Sequence, residues 1–146
     1  MNKQEPQGGG GIVSAFSLKS DIAELKVLAE KVESFGFDND ISPKAVFELN
    51  LVLDELFTNL VSYGCHLDSH SFDILLKLDG DVLLVKIEDD GKPFNPLDTA
   101  EPEIKCDCTE RKIGGLGIHF MRKMMDSIEY IWEDGKNKLK LTKKIQ

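Results

Sequence analysis

The sequence is short of the features that mark several large classes of protein. Its three cysteines, Cys65, Cys106 and Cys108, are too few and oddly numbered for a disulfide framework. No apolar run approaches the roughly 20 residues needed to cross a bilayer. The opening residues, "MNKQEPQGGGG", have no apolar centre of the kind a signal peptide carries. We therefore expect residues 1–11 to be a disordered lead, residues 12–146 to form one domain, and the protein to be cytoplasmic. Lys and Arg number 18 against 26 Asp and Glu, a formal net charge of −8. That balance disfavours a nucleic-acid backbone as partner. Internal repeats are absent, and so are the GxxxxGK[ST] of a P-loop and the GxGxxG of a dinucleotide fold.

What is present is the hydrophobic patterning of a small α+β domain. "IVSAFSL" (residues 12–18) reads as a strand. Ser20 or Asp21 can cap a helix whose apolar residues Ile22, Leu25, Leu28, Ala29 and Val32 fall at helical spacing. "GFDNDISP" reads as a loop, and Ser42-Pro43 opens a second helix, with Ser42 as cap and Pro43 in the first turn. That helix is expected to run to about Tyr63, where Gly64 ends it. "SFDILLKL" and "DVLLVKIED" are strands joined by a tight turn at Asp79-Gly80-Asp81. Residues 91–117 show no periodicity and form a long loop. A third helix is expected over about 118–126, then a closing hairpin of "SIEYIWE" and "NKLKLTKKI" around Asp134-Gly135. Strands that arrive as hairpins argue for a two-layer α/β sandwich of the α+β class. Its sheet would be mixed but mostly antiparallel, with helices on one face.

Three places carry chemistry. In the second helix Glu55 and Asn59 are four apart and so share a face, roughly 40° apart about the axis. The helix is apolar nearly all round, so a carboxylate and an amide midway along it need partners. A hard cation such as Mg²⁺ is one such partner, solvent or a neighbouring backbone group another. In "VLLVKIEDD" period-two alternation puts Leu83, Val85, Ile87 and Asp89 on the core face and Lys86, Glu88 and Asp90 on the wet one. A carboxylate at the core end of a strand needs a buried donor, either a ligand amine or a backbone N–H of the turn. Gly91 lets the chain turn or a ligand approach, and Pro93 and Pro96 stiffen the start of the long loop. In "ERKIGGLGIHFMRKMMD" a glycine-rich segment opens a helix. Backbone N–H groups there can bind an anion, with Arg111 and Lys112 adding positive charge.

Taken in order, E-x-x-x-N on a helix, strand-D-x-G, a long loop and G-G-L-G before a helix resemble the asparagine box and two glycine boxes of the Bergerat-fold ATPases. That superfamily includes gyrase and the histidine kinases, and the likeness runs from about Ile12 to the end. Within it, "DELFTN", "DDGKPFNP" and "GGLGIHFMRKMMDSIEY" look most like the stand-alone anti-sigma-factor serine/threonine kinases.

The resemblance implies a Bergerat ATP-binding fold, with ATP and Mg²⁺ as cofactors. It implies Glu55 as the general base and Asn59 as the Mg²⁺ ligand. Asp89 would accept from the adenine amine, and Gly91 would give the base room. Gly115, Leu116 and Gly117 would offer N–H groups to phosphate, with Arg111 as a further phosphate contact and Thr142 on the adenine side. It also implies a STAS-domain anti-anti-sigma protein or a sigma factor as partner, no membrane or nucleic acid, and a homodimer as one available assembly. Many relatives carry D-x-G-x-G where this chain has Pro93, and D-x-G-x-P-F-x-P fits the anti-sigma-like branch. A binding module that sequesters a regulator without turnover is the alternative to a kinase.

Other residues invite plainer readings. Cys106 and Cys108 lack further ligands at metal spacing, and His66 and His70 are read as residues of a loop near Cys65 that nothing fixes near Cys106. His119 is read as a residue of the first turn of the third helix. Met121, Met124 and Met125 are expected at the core and its rim.

Overall fold

A computed structural model describes residues 12–63, 70–98 and 121–145. The expectations for residues 1–11, Gly64, Cys65, His66, Cys106, Cys108, Arg111, Lys112, the segment 114–117 and His119 fall outside the described residues. In chain order the elements are β1 (Ile12–Lys19), α1 (Leu25–Asp38), α2 (Pro43–Tyr63), β2 (Ser71–Asp79), β3 (Val82–Asp89), β4 (Ser127–Glu133) and β5 (Lys136–Lys144). A 3₁₀ turn, Ile22–Glu24, leads into α1, and Asp21 caps it by accepting from the Ala23 N–H at 2.9 Å. Residues 121–124 are helical, and that helix stops two residues short of the expected Asp126.

The five strands form one sheet in the order β1-β2-β3-β5-β4, antiparallel at every described pairing. The expected mixed sheet is therefore wholly antiparallel among the described strands. The two hairpins close where the turn residues dictate. Gly80 has φ +66°, and Asp134 and Gly135 have φ +57° and +71°. Left-handed backbone at both central positions of the second turn, and at Gly80 alone in the first, suits the twist of a two-residue hairpin.

One face of the sheet is covered by helices. Its alternate residues, Leu18, Phe72, Ile74, Leu76, Leu83, Val85, Ile87, Leu139 and Leu141, are buried. They pack against Leu49, Leu53, Leu56, Phe57 and Leu60 of α2 and Leu28, Val32 and Phe35 of α1. Ser42 caps α2 through its hydroxyl, which accepts from the Ala45 N–H at 3.2 Å. Met121 and Met125 are buried in the same core and Met124 is half-buried.

α1 departs from its expected end. It runs through Gly36 to Asp38 rather than breaking at Gly36. Gly36 is a contact residue: a β-carbon there would collide with Val46 Cγ2, so its bareness lets α2 approach. The left-handed turn falls later, at Asp40 with φ +54°. Among the described residues, no helix is long and apolar enough to cross a membrane.

Candidate functional site

The alternation that builds the core face continues one step past the apolar residues of β3 and delivers Asp89. Asp89 is 7% exposed, whereas the side chain of Asp90 is 77% exposed. The two adjacent acids thus face opposite ways, as a period of two requires.

The same step is taken on β5 and just ahead of β2. Asn137 lies opposite Asp89 across the β3–β5 ladder and shares the parity of Leu139 and Leu141. His70 shares the parity of Phe72 and Ile74, and its carbonyl is held by the Ser20 N–H at 2.9 Å. Three core-face rows therefore end in polar residues at one end of the sheet's inner strands.

Their contacts form a connected group. Asp89 Oδ1 accepts from Asn137 Nδ2 at 2.9 Å, and Asp89 Oδ2 lies 3.1 Å from His70 Nε2. A carboxylate only accepts, so the hydrogen of that second contact belongs to His70. His70 Nδ1 is 3.6 Å from Asp90 Oδ1, too long for a hydrogen bond but within ion-pair range. Asn137, 5% exposed, also donates to the Lys92 carbonyl at 2.9 Å. Its Oδ1 accepts from the Phe94 N–H at 2.9 Å and from the Tyr130 hydroxyl. One amide thus ties the end of β3, the segment after Gly91 and β4 together, with donors and acceptor all in use. Burial pushes the Tyr130 phenol above its ordinary value, and the nearby Asp89 charge adds to that.

The group connects to α2 through rings. His70 meets Phe72 edge to face at 5.3 Å, and Phe72 meets Phe57 of α2 at 5.5 Å. On α2, Glu55 and Asn59 are both half-buried, on the flank of the apolar stripe. Gly91 is half-buried, and the chain after it stays close: Leu97 is buried, and its N–H donates to Asn95 Oδ1 at 2.8 Å.

At the far end of the same flank of α2, Glu48 meets Lys143 of β5 at 2.9 Å. Lys143 also donates to the Met124 carbonyl at 2.7 Å, at the end of the helical residues 121–124. The hydrogen bond from Lys143 holds the Glu48 carboxyl below its ordinary value.

The structure therefore places Asp89 and Gly91 at the end of the central strand and Glu55 and Asn59 on the covering helix. It does not bring Thr142 to Asp89. Thr142 lies five residues along β5 from Asn137, roughly 17 Å at strand rise. It points to the opposite face and bonds Ser127 Oγ at 2.7 Å. The polar β5 residue beside Asp89 is Asn137. Arg111, Gly115, Leu116 and Gly117 lie outside the described residues. Sequence reasoning misses Asn137 and His70 as site residues, although extending the alternation of their own strands by one step reaches both. Among the described residues, no cluster of three or more His, Cys, Asp or Glu could hold a metal ion.

Comparison with known proteins bears on the family and the fold. The chain is 28% identical over 101 residues to an anti-sigma F factor of Oceanobacillus iheyensis, covering 68% of this chain and 69% of that protein. Its fold matches a crystal structure of RsbU and RsbW domains from Mycobacterium tuberculosis, with a TM-score of 0.66 and 12% identity. That match takes in 92% of this chain but 32% of the other, so the chain spans about a third of that protein. The model of the histidine kinase-like ATPase domain matches residues 18–143. With nearly its whole length so matched, the chain belongs to the histidine kinase-like ATPase domain family, with the fold of the anti-sigma-factor kinase type.

Proposed function

We propose that the protein is a cytoplasmic, ATP-dependent serine/threonine protein kinase of the anti-sigma-factor kind. It would regulate transcription by partner switching with a STAS-domain antagonist of a sigma factor. The observation that carries this reading is Asp89, a buried carboxylate held at a strand end beside the segment after Gly91.

The residues present suit ATP and Mg²⁺. A fixed, buried carboxylate is an acceptor for an exocyclic amine, and it discriminates because an unpaired partner there is costly. Gly91 has no side chain to hold a flat base away. Asn59 offers an amide oxygen, a hard ligand suited to Mg²⁺, which takes its remaining ligands from water and phosphates rather than from a protein cage. Bound ATP supplies the transferable phosphoryl group. Glu55, one turn before Asn59, would take the proton of a partner's serine or threonine hydroxyl. Gly115, Leu116, Gly117 and Arg111 would hold the phosphates.

The test is incubation of the chain with labelled ATP and a STAS-domain protein from the same genome. Glu55→Ala should abolish phosphate transfer and keep nucleotide binding, while Asn59→Ala should weaken Mg-ATP binding. Binding without transfer to any STAS protein would favour the second reading, a nucleotide-gated module that sequesters a sigma factor or regulator. That reading is motivated by Asn137, which joins Asp89 to the Lys92 and Phe94 backbone and so links the base site to the start of the long loop. Equal partner affinity with ATP, ADP and no nucleotide would eliminate it.

A further inference from the structure

We propose that His70 competes with the nucleotide base for Asp89 and so sets the affinity of the site. This rests on the reading of Asp89 as the acceptor of the base amine. The two oxygens of Asp89 differ in how their partners are held. The Oδ1 partner, Asn137, also bonds Lys92, Phe94 and Tyr130, and moving it would unpair several buried groups. The Oδ2 partner is the imidazole of His70, just ahead of β2. Its Nε2–H offers Asp89 what an exocyclic amine would offer, a single N–H donor aimed at one carboxylate oxygen. The amine and the imidazole therefore contend for Oδ2.

His70 also has somewhere to go. Its Nδ1 is 3.6 Å from the exposed Asp90 carboxylate, so a small rotation keeps the ring beside an acid after it leaves Asp89. The ring packs edge-on against Phe72, whose own contact with Phe57 reaches the helix bearing Glu55 and Asn59. Adjacent acids at this strand end thus have a joint use: Asp89 binds the base, and Asp90 receives the residue that the base displaces. A purine nucleotide with hydrogen in place of the amine has no N–H on that edge to offer Oδ2, and His70 should be indifferent to it.

The experiment is calorimetric titration of the full chain with ATP and with purine riboside triphosphate, which has hydrogen in place of the amine, both with Mg²⁺. It compares the wild type, His70→Ala, His70→Phe and Asp89→Asn. The phenylalanine variant keeps a ring against Phe72 and removes the N–H, and thermal unfolding verifies that each variant is folded. Competition predicts that both His70 variants bind ATP about tenfold more tightly, the scale of one charge-assisted hydrogen bond released from competition. Their affinity for purine riboside triphosphate should change less than twofold. Weaker or unchanged ATP binding, or equal tightening toward both nucleotides, would overturn the proposal. Equal ATP affinity in wild type and Asp89→Asn would instead show that Asp89 is not the base acceptor, and the proposal would fall with that reading.

Discussion

The core face of the sheet ends in charged groups at two places, and they are closed in different ways. At one, Lys143 meets Glu48 and the Met124 carbonyl, a cation satisfied by an anion and the end of a helix. At the other, the carboxylate of Asp89 meets a neutral amide and an imidazole. The first arrangement fastens α2 to β5 and to helical residues 121–124, and all three parts gain from keeping it shut. The second holds a negative charge in place through an amide and an imidazole ring, side chains of a different kind from the lysine at the first. A buried carboxylate supported in that manner keeps an acceptor that a ligand donor can use. On the function proposed above, the difference separates a structural charge from one used in binding.

Asn137→Ala should show the largest structural effect. It removes the bond to Asp89 and leaves the Phe94 N–H and Lys92 carbonyl without their partner, at a cost of about 3 kcal/mol. Urea unfolding measures the loss, and ATP affinity should fall with it. An unchanged midpoint would mean that the amide is not what supports the carboxylate. Lys143→Met should cost about 1 kcal/mol by the same measurement, since it strips a partner from a half-buried acid and a cap from a helix end. ATP affinity should move much less than in Asn137→Ala; an equal loss would erase the distinction between the two places.

The smallest effect concerns pH. The folded Glu48 carboxyl sits below its ordinary 4.5, chiefly because Lys143 bonds it. Its contribution to stability is thus present above about pH 4.5 and is lost as pH falls through the lower folded value. Glu48→Gln should flatten the acid limb of a stability–pH curve by a few tenths of a kcal/mol. A limb unaltered by that change would place the titration elsewhere.

Much of this is legible in the sequence because strand alternation is strict. The inward Asp89 and outward Asp90 follow from Leu83, Val85 and Ile87 alone. Both hairpins are marked by their glycines, and α2 by Ser42-Pro43. The features that stay hidden depend on contacts between elements. Gly36 reads locally as a breaker, but its role is to let Val46 come close, which becomes visible only when α1 and α2 are packed. His70 lies at the edge of a loop-like stretch and Asn137 beside a turn, so neither looks like a core-face residue until register places both beside Asp89. Thr142 is assigned by resemblance, against the alternation of its own strand, and the ladder sets it on the other face.

The most direct test of the account is ATP binding by Asp89→Asn and Asp90→Asn, measured side by side by calorimetry. The account predicts a loss on the order of 10- to 100-fold for Asp89→Asn, the scale of a hydrogen bond to a charged group, and less than twofold for Asp90→Asn. Equal effects from the two variants, or the larger effect from Asp90→Asn, would contradict it.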